Sequence, residues 1–239
     1  FDKKKLIGFS AYLAHDFIYN LEKRNAFQVC WVSTDIEYRG KGILTNMVKY
    51  AIDCIKKMDG DFIFAFPNKN SHQIFIKKIG FSDFLMSKAL IPNIPILLNL
   101  FLRSSLTKTE KFYEQDNAQL INFKKKEFGD KIKVYQHGES SLWGKERVKI
   151  IFGIKLTYFD IGGITIEKDN DLFPLVRLAS KNNKGLWFLF VFNPGNHLSL
   201  FFKQKKTAKH SDPIIYLSLK NNTKIESMIS ISAGIKDTF

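Results

Sequence analysis

The stretch VCWVSTDIEYRGKGI, residues 29–43, decides the predicted fold. An apolar strand runs into a basic turn with two glycines, and the residues that follow have the apolar spacing of an amphipathic helix. Gly40 and Gly42 allow successive backbone N–H groups to curl around an anion, and the helix points its positive N-terminal end at the same spot. Arg39 and Lys41 add formal positive charge. The stretch therefore predicts a pyrophosphate site, although an ordinary strand-to-helix turn can contain the same two glycines.

The segments after this stretch extend the pattern. Residues 44–57 predict a helix, residues 62–66 a strand, and residues 67–81, PNKNSHQIFIKKIGF, a further helix. Together with the opening stretch, this run resembles the core of the GNAT acyl-CoA N-acyltransferase superfamily. The superfamily motif Q/R-x-x-G-x-G/A binds the pyrophosphate of CoA, and here it reads EYRGKG, residues 37–42, with Glu37 where Gln or Arg is usual. The resemblance implies acetyl-CoA as the acyl donor.

The resemblance also implies which residues bind the acyl-CoA. Backbone N–H groups of the strand around Val32 and Ser33 would polarise the thioester carbonyl, and Asn70 with Ser71 would contact the pantetheine arm. The full implied set is Val32, Ser33, Thr34, Arg39, Gly40, Lys41, Gly42, Ile43, Asn70 and Ser71. One position departs from the pattern, because Ile76 stands where the superfamily often has a Tyr that protonates the leaving thiolate. The usual general acid is therefore missing.

The site also needs a proton acceptor, because an amine must lose its proton before it attacks a thioester. His72 opens the helix after Asn70, and His15 lies on the strand next to the proposed cofactor strand, so both are candidate catalytic residues. Asp35, at the end of the cofactor strand, is a third candidate. Each also fits a structural role: His15 at a strand end, His72 as a cap or facing solvent, and Asp35 in the turn. No spacing typical of metal ligands occurs, and we expect no metal.

The second half of the chain repeats the pattern weakly. At an offset of 126 residues, FAFPNKN at 64–70 aligns with FVFNPGN at 190–196. Residues 155–160 then take the place of the pyrophosphate strand, and residues 170–181 that of the helix. TIEK at 165–168 replaces the basic glycine turn with an acid and no glycine. These similarities predict a duplicated module whose second copy has lost the anion site, although apolar strands also align by chance.

We therefore predict a mixed α/β fold built from two tandem GNAT-like modules. The first, residues 1–104, contains the acyl-CoA loop and lacks the opening elements of a GNAT module. Residues 105–130 predict a connector that is largely helical, and residues 131–239 a second, degenerate module. Further strands are predicted at residues 82–91, 214–218 and 225–231.

Composition restricts the partners and the compartment. The net charge is +14 and the pI about 9.6, which suits the phosphates of CoA, but the lysines are spread along the chain and we expect no nucleic-acid partner. The longest apolar stretch, residues 89–102, is interrupted by Pro92 and Pro95, so we expect no membrane span. Cys30 and Cys54 are typical of buried thiols in a reducing cytoplasm. The oligomeric state does not follow from the sequence.

Three functional hypotheses remain open at this point. The leading one is an acetyl-CoA-dependent N-acetyltransferase in which a small primary amine, such as an amino sugar or an amino acid derivative, attacks the thioester directly. The second is a non-catalytic GNAT-like binding or scaffold protein, which the loss of the usual Tyr at Ile76 favours. The third is tRNA-dependent aminoacyl transfer, which the basic charge would suit and the preserved CoA loop disfavours.

Overall fold

The computed structural model describes most of the chain. The described residues are 1–19, 22–84, 86–103, 117–168, 170–192, 201–203, 206–208 and 214–220. The chain forms two compact units, the first made of Phe1–Leu85 and Lys209–Glu226, and the second of Met86–Ala208 and Ser227–Phe239. Within the described ranges, no helix is both long and apolar enough to cross a membrane.

Each unit is built around one sheet. In chain order the described strands are β1 (Gly8–Tyr19), β2 (Glu22–Thr34), β3 (Phe62–Ala65), β4 (Ser82–Phe84), β5 (Met86–Pro92), β6 (Ile132–His137), β7 (Ser140–Ile151), β8 (Ile154–Thr165), β9 (Trp187–Phe192), β10 (Lys206–Ala208) and β11 (Ile214–Ser218). The described α-helices are α1 (Ile43–Lys57), α2 (Lys69–Ile74), α3 (Leu98–Phe101), α4 (Asn117–Phe128) and α5 (Leu172–Lys181).

The sheet of the first unit has the strand order β1-β2-β3-β11-β4. Among its described strands only β2 and β3 are parallel, and α1 makes the crossover that a parallel pair requires. Val48, Ile52 and Ile55 form the buried stripe of α1 and pack in one core cluster with Ile63 and Ala65 of β3. Burial of each large side chain in this cluster stabilises the fold by about 1.5–3 kcal/mol, so α1 is firmly held beneath the site described below.

A β-bulge at Cys30 divides β2 into two parts. Cys30 has no partner in the β1–β2 register, because Val29 and Trp31 pair with consecutive residues of β1. The parallel ladder between β2 and β3 ends at the pair Val29–Ala65. Beyond this point β2 continues to Thr34 while β3 has ended, so the two strands open toward the start of α1.

The sheet of the second unit has the order β10-β5-β9-β8-β7-β6, and β8–β9 is the only parallel pair that the described part of this unit contains. Strand β8 carries a one-residue bulge at Gly162, opposite the fully buried Trp143 of β7. A Cβ on Gly162 would lie 2.3 Å from a ring carbon of Trp143, so only glycine fits there. Each unit therefore contains an antiparallel hairpin with a bulge in its second strand, then a helix, then a strand parallel to the bulged one.

The predicted mixed α/β fold is confirmed. The shared order of elements in the two units supports the predicted duplication, which itself stays a prediction. The predicted helix at 170–181 corresponds to α5, and part of the predicted connector forms α4, while residues 105–116 lie outside the described part of the chain. Residues 193–196 of the internal alignment and the predicted strand at 225–231 also lie outside it.

Three predictions about the division between the halves need correction. Residues 82–91 do not form one strand, because β4 pairs in the first sheet and β5 in the second. The first segment of the first unit accordingly ends at Leu85 rather than at residue 104. It also includes β11, which we assigned to the second module and which pairs with β3 and β4. The reason is that partner choice among short apolar strands is non-local and leaves no mark in their spacing.

Candidate functional site

A cavity of about 610 Å³ opens in the first unit where β2 and β3 separate. Its walls are the end of β2, the basic turn, the first turn of α1, the end of β3 and the start of α2. Nine of the ten residues predicted to bind acyl-CoA line it: Val32, Ser33, Thr34, Arg39, Gly40, Gly42, Ile43, Asn70 and Ser71. The tenth, Lys41, is not among the lining residues. The fold thus brings together segments that are up to forty residues apart in the sequence.

The glycine turn has the conformation that the motif predicts. Gly40 and Gly42 both have φ of 79°, in the left-handed region that residues with a Cβ rarely adopt. A Cβ built on either residue would meet no other atom within 4 Å, so no side chain of the described residues fills the space next to them. The glycines are needed for the backbone conformation and leave the turn open on its cavity side.

The N-terminus of α1 presents unsatisfied donors to the same cavity. No described side chain caps this helix, and its first turn contains no acidic residue. Ile43, Leu44 and Thr45 line the cavity, and their backbone N–H groups come too early in the helix for an intrahelical acceptor. Three donors and the positive end of the helix dipole therefore point at one place, which favours an anion there.

The charges around the turn are arranged so that the acids are neutralised. Lys5 binds Glu37 at 2.9 Å and Asp35 at 3.1 Å, and these contacts raise the pKa of Lys5 above its usual range. The pKa of Asp35 is lowered, first by the backbone N–H of Glu37 and then by Lys5. Asp35 therefore serves as the cap of the short helical turn Ile36–Tyr38, which agrees with its structural interpretation.

Basic side chains lie at the cavity and next to it. Arg39 lines it and donates from Nε to the carbonyl oxygen of Thr34 at 3.3 Å, a bond that does not use its two terminal guanidinium nitrogens. Lys78 also lines the cavity, and Lys41 Nζ lies 4.7 Å from the ring centroid of Tyr38. Lys78 was missed by the sequence analysis, because nothing in its spacing distinguishes it from other surface lysines.

Asn68 organises the opposite wall. Its Oδ1 accepts hydrogen bonds from the backbone N–H groups of Asn70 and Ser71, so it is the N-cap of α2. Ser71 also donates from Oγ to the same oxygen at 3.1 Å. Asn68 lines the cavity too, although the sequence analysis singled out only the two residues that it holds.

Neither candidate histidine reaches the cavity. His72 pairs through Nε2 with Asp83 of β4, on a different side of α2 from the lining residues. His15 is buried, and its Nε2 lies 3.0 Å from Gln28 Oε1 and its ring 5.6 Å from that of Phe64. Phe64 and its neighbour Ile63 face opposite sides of β3, so His15 lies on the sheet face away from α1.

The position of the missing general acid is also removed from the cavity. Ile76 packs against the core cluster beneath α1, while its neighbours Phe75 and Lys78 line the cavity. These residues belong to a π-helical turn, Phe75–Ile79, that continues α2 and ends at Gly80 with φ of 93°. A π-helical turn rotates the side chains that follow it relative to an α-helix, a change that apolar periodicity alone does not reveal.

The equivalent turn in the second unit is already occupied. The backbone N–H of Lys168 donates to Asp171 Oδ2 at 3.3 Å, and that of Glu167 donates to Ser140 Oγ at 2.8 Å. Ser140 and Asp171 are both buried and bind each other. A carboxylate of the chain itself thus takes the place that an anionic ligand would need, in agreement with the predicted loss of the site.

A comparison with known protein families agrees with the resemblance of the first unit to the GNAT superfamily. Residues 1–82 match the family model of an acetyltransferase (GNAT) domain. These residues form a GNAT acetyltransferase domain. The predicted resemblance is thereby confirmed for this part of the chain, and the cavity of the GNAT domain is the site described above. None of the curated protein sequences compared with the chain matches it significantly.

Solved structures extend the likeness of fold beyond the GNAT domain. A GCN5-related N-acetyltransferase from Anabaena variabilis matches with a TM-score of 0.59 at 12% identity, over 92% of this chain and 62% of its own. A GCN5-related N-acetyltransferase from Kribbella flavida gives 0.58 at 8% identity, over 90% and 57%. Eis1 from Mycobacterium abscessus gives 0.57 at 11% identity, over 92% and 63%. The chain thus spans about three fifths of these proteins, and the likeness concerns the fold alone.

Proposed function

We propose that the chain is an acyl-CoA-dependent N-acyltransferase that uses acetyl-CoA as donor and a small primary amine as acceptor. The observation that carries the proposal is the uncapped N-terminus of α1, which meets the open glycine turn at a cavity in a GNAT domain. The residues fit the donor, because a pyrophosphate would accept the N–H groups that have no partner within the helix. The donor supplies the activated acyl group as a thioester.

The cavity divides into a charged end and a strand end. Gly40, Gly42 and the first turn of α1 would hold the pyrophosphate, with Arg39 and Lys78 as the neighbouring cations. Along β2 beyond the bulge, backbone groups facing away from β1 are free of the β3 ladder and can donate to the pantetheine arm and the thioester carbonyl. Asn70 and Ser71 close the side opposite β2.

The proposed reaction is direct attack of the amine nitrogen on the thioester carbon. The C–N bond forms, the C–S bond breaks, and the amine proton leaves to solvent while the thiolate takes one from it. Tyr38 lines the cavity, but its hydroxyl donates to Asp2 at 2.7 Å and that contact raises its pKa, so it stays protonated and is a poor proton donor to the leaving thiolate. We propose that water carries the protons and that alignment of amine and thioester supplies most of the acceleration, which reaches about 7–11 kcal/mol in well-oriented cases.

The acceptor is proposed as a small primary amine, such as an amino sugar or an amino acid derivative. Trp31 lines the cavity near the bulge and is 65% exposed, so it offers an aromatic surface at the strand end, where the thioester would lie. This arrangement suits a compact acceptor that stacks against the ring.

A non-catalytic scaffold is the second candidate function. It is favoured by Ile76 in place of the usual Tyr and by the placement of His15 and His72 away from the cavity. Such a protein would bind acyl-CoA, or nothing, without transferring the acyl group.

Two measurements separate these functions. Calorimetric titration with acetyl-CoA tests the donor site, and release of free CoA thiol in the presence of a panel of amino sugars, amino acids and polyamines tests transfer. Binding with amine-dependent thiol release supports the transferase. Binding without release by any amine supports a scaffold that binds acyl-CoA. Absence of binding contradicts the transferase and leaves only a scaffold without this ligand.

A further inference from the structure

The long hairpin of the second unit ends in an apolar tip. A two-residue turn at 152–153 joins β7 and β8, and we call residues 148–155 the hairpin tip. The exposed fractions of its apolar side chains are 59% for Val148, 65% for Ile150, 38% for Ile151, 100% for Phe152 and 63% for Ile154. Contiguous exposed apolar side chains usually mark an interaction surface, and single scattered ones do not. The hairpin tip is therefore a candidate surface.

The conformation of the turn does not explain why residue 152 is a phenylalanine. Its φ is 50° and that of Gly153 is 79°, so both central residues of the turn have the positive φ that a type I′ turn requires. Asn-Gly is the favoured pair in such turns, whereas a bulky residue at positive φ is strained. The chain thus keeps a fully exposed aromatic ring at a position where Asn would make a more stable turn.

The apolar side chains surround the hairpin tip. Val148 and Ile150 point to one face of the hairpin, while Ile151 and Ile154 pair across the strands and point to the other. A protein partner with a flat surface would cover one face and leave the other in water. A medium that encloses the tip from all sides covers both, and the apolar part of a lipid bilayer is such a medium.

The charges of the hairpin tip indicate which kind of surface it binds. Its sequence, VKIIFGIK at residues 148–155, contains Lys149 and Lys155 and no acid. A symmetric contact between the tips of two copies would bring these cations together, which disfavours a second copy as the occupant. Anionic lipid headgroups complement them instead.

We propose that the hairpin tip inserts into the surface of an anionic lipid bilayer, with Phe152 at the level of the upper acyl chains and Lys149 and Lys155 at the phosphates. Lys149 lies three residues before Phe152, a distance of about 10 Å at 3.3 Å per residue, and Lys155 pairs with Ile150, one residue nearer the turn than Lys149. Apolar faces of interfacial elements enter bilayers by about 5–10 Å, and lysine side chains extend toward the headgroups. The proposal concerns the second unit and does not depend on the proposed transferase function.

Vesicle flotation of the full chain tests the proposal. We expect the protein to float with vesicles of phosphatidylcholine and phosphatidylserine, to bind vesicles of phosphatidylcholine alone more weakly, and to dissociate as salt is raised. Phe152→Asn should weaken the affinity at least about tenfold because it removes the buried ring. It should leave the melting temperature equal or higher because Asn-Gly suits the turn. Lys149→Ala should weaken the affinity about fivefold at low salt.

Ile96→Asn is the matched control. Ile96 belongs to the same unit, is 83% exposed and lies on the short helical turn Pro95–Leu97, away from the hairpin tip. Unchanged vesicle affinity for Ile96→Asn together with the loss for Phe152→Asn supports the proposal. Equal affinity of Phe152→Asn and the parent would assign the binding to the general charge of +14 and overturn it. Failure of the parent to float, or a parent dimer in light scattering that Phe152→Asn dissociates, would also overturn it.

Discussion

Replacement of Gly42 by Asp or by Asn separates charge from shape at the proposed pyrophosphate site. Both side chains have nearly the same size, and a Cβ at this position meets no atom within 4 Å, so neither clashes with the protein. Both must adopt the φ of 79° that Gly42 has, at a cost of about 1–2 kcal/mol that Asn and Asp tolerate better than other residues. The pair therefore differs essentially in one negative charge beside the bound anion.

The magnitude follows from Coulomb's law. One carboxylate about 5 Å from one phosphate charge, at an effective dielectric constant of about 20–80, costs about 1–3 kcal/mol of binding free energy. We therefore expect Gly42→Asp to bind acetyl-CoA about 5- to 150-fold more weakly than Gly42→Asn, and the gap should narrow as salt is raised. The Asp variant should be folded at least as well, since an acid near a helix N-terminus is stabilising.

Calorimetric titration of both variants at low and high salt measures this gap, with circular dichroism melting as the check on folding. A ratio of affinities near one at low salt, in two folded variants, would refute the assignment of the pyrophosphate to the glycine turn. Loss of binding by both variants to the same extent would give the same ratio, and it would indicate that the shape of the turn and not the added charge governs binding.

Three further changes test other parts of the structure. Gly162→Ala places a methyl group 2.3 Å from a ring carbon of the buried Trp143 and should lower the free energy of unfolding by about 3 kcal/mol in urea titration, whereas an unchanged midpoint would contradict the described bulge. Lys145 has a pKa lowered from 10.5 to about 8, chiefly by burial and then by Arg147 and Lys124. Between pH 8 and pH 10.5 the unfolded chain therefore binds more protons than the folded chain, so the free energy of unfolding should rise with pH. Lys145→Met should remove that rise in pH-dependent melting. His72→Gln should leave the rate of acyl transfer within about twofold of the parent, because His72 pairs with Asp83 outside the cavity, and a loss of tenfold or more would restore it as a catalytic candidate.

The parts of the site that the sequence predicts are local. The glycine turn and the start of α1 follow from residue types within a few positions, since positive φ requires Gly40 and Gly42 and helical spacing begins at once after them. The α2 segment is similar, because Asn68 caps the helix that carries Asn70 and Ser71. Each of these features depends on backbone preferences that a short segment already has.

The features that the sequence does not predict are non-local. The bulge at Cys30 shifts the alternation of β2 by one residue, so the face occupied by each side chain cannot be read from spacing alone. The same limit applies to His15, whose burial beside Gln28 depends on which face of the sheet is covered. The placement of β11 between β3 and β4 depends on pairing between residues 130 to 156 positions apart, and apolar strands of equal length compete for such places.

The most direct test of the central claim is amide hydrogen exchange of the full chain with and without acetyl-CoA. The N–H groups of Ile43, Leu44 and Thr45 at the start of α1 have no intrahelical acceptor, so their exchange should be fast in the free protein and slow markedly when a pyrophosphate accepts them. The corresponding turn of the second unit, where Asp171 already accepts from Lys168, should not change. Slower exchange in the second unit, or binding of acetyl-CoA without any slowing at residues 43–45, would contradict the account.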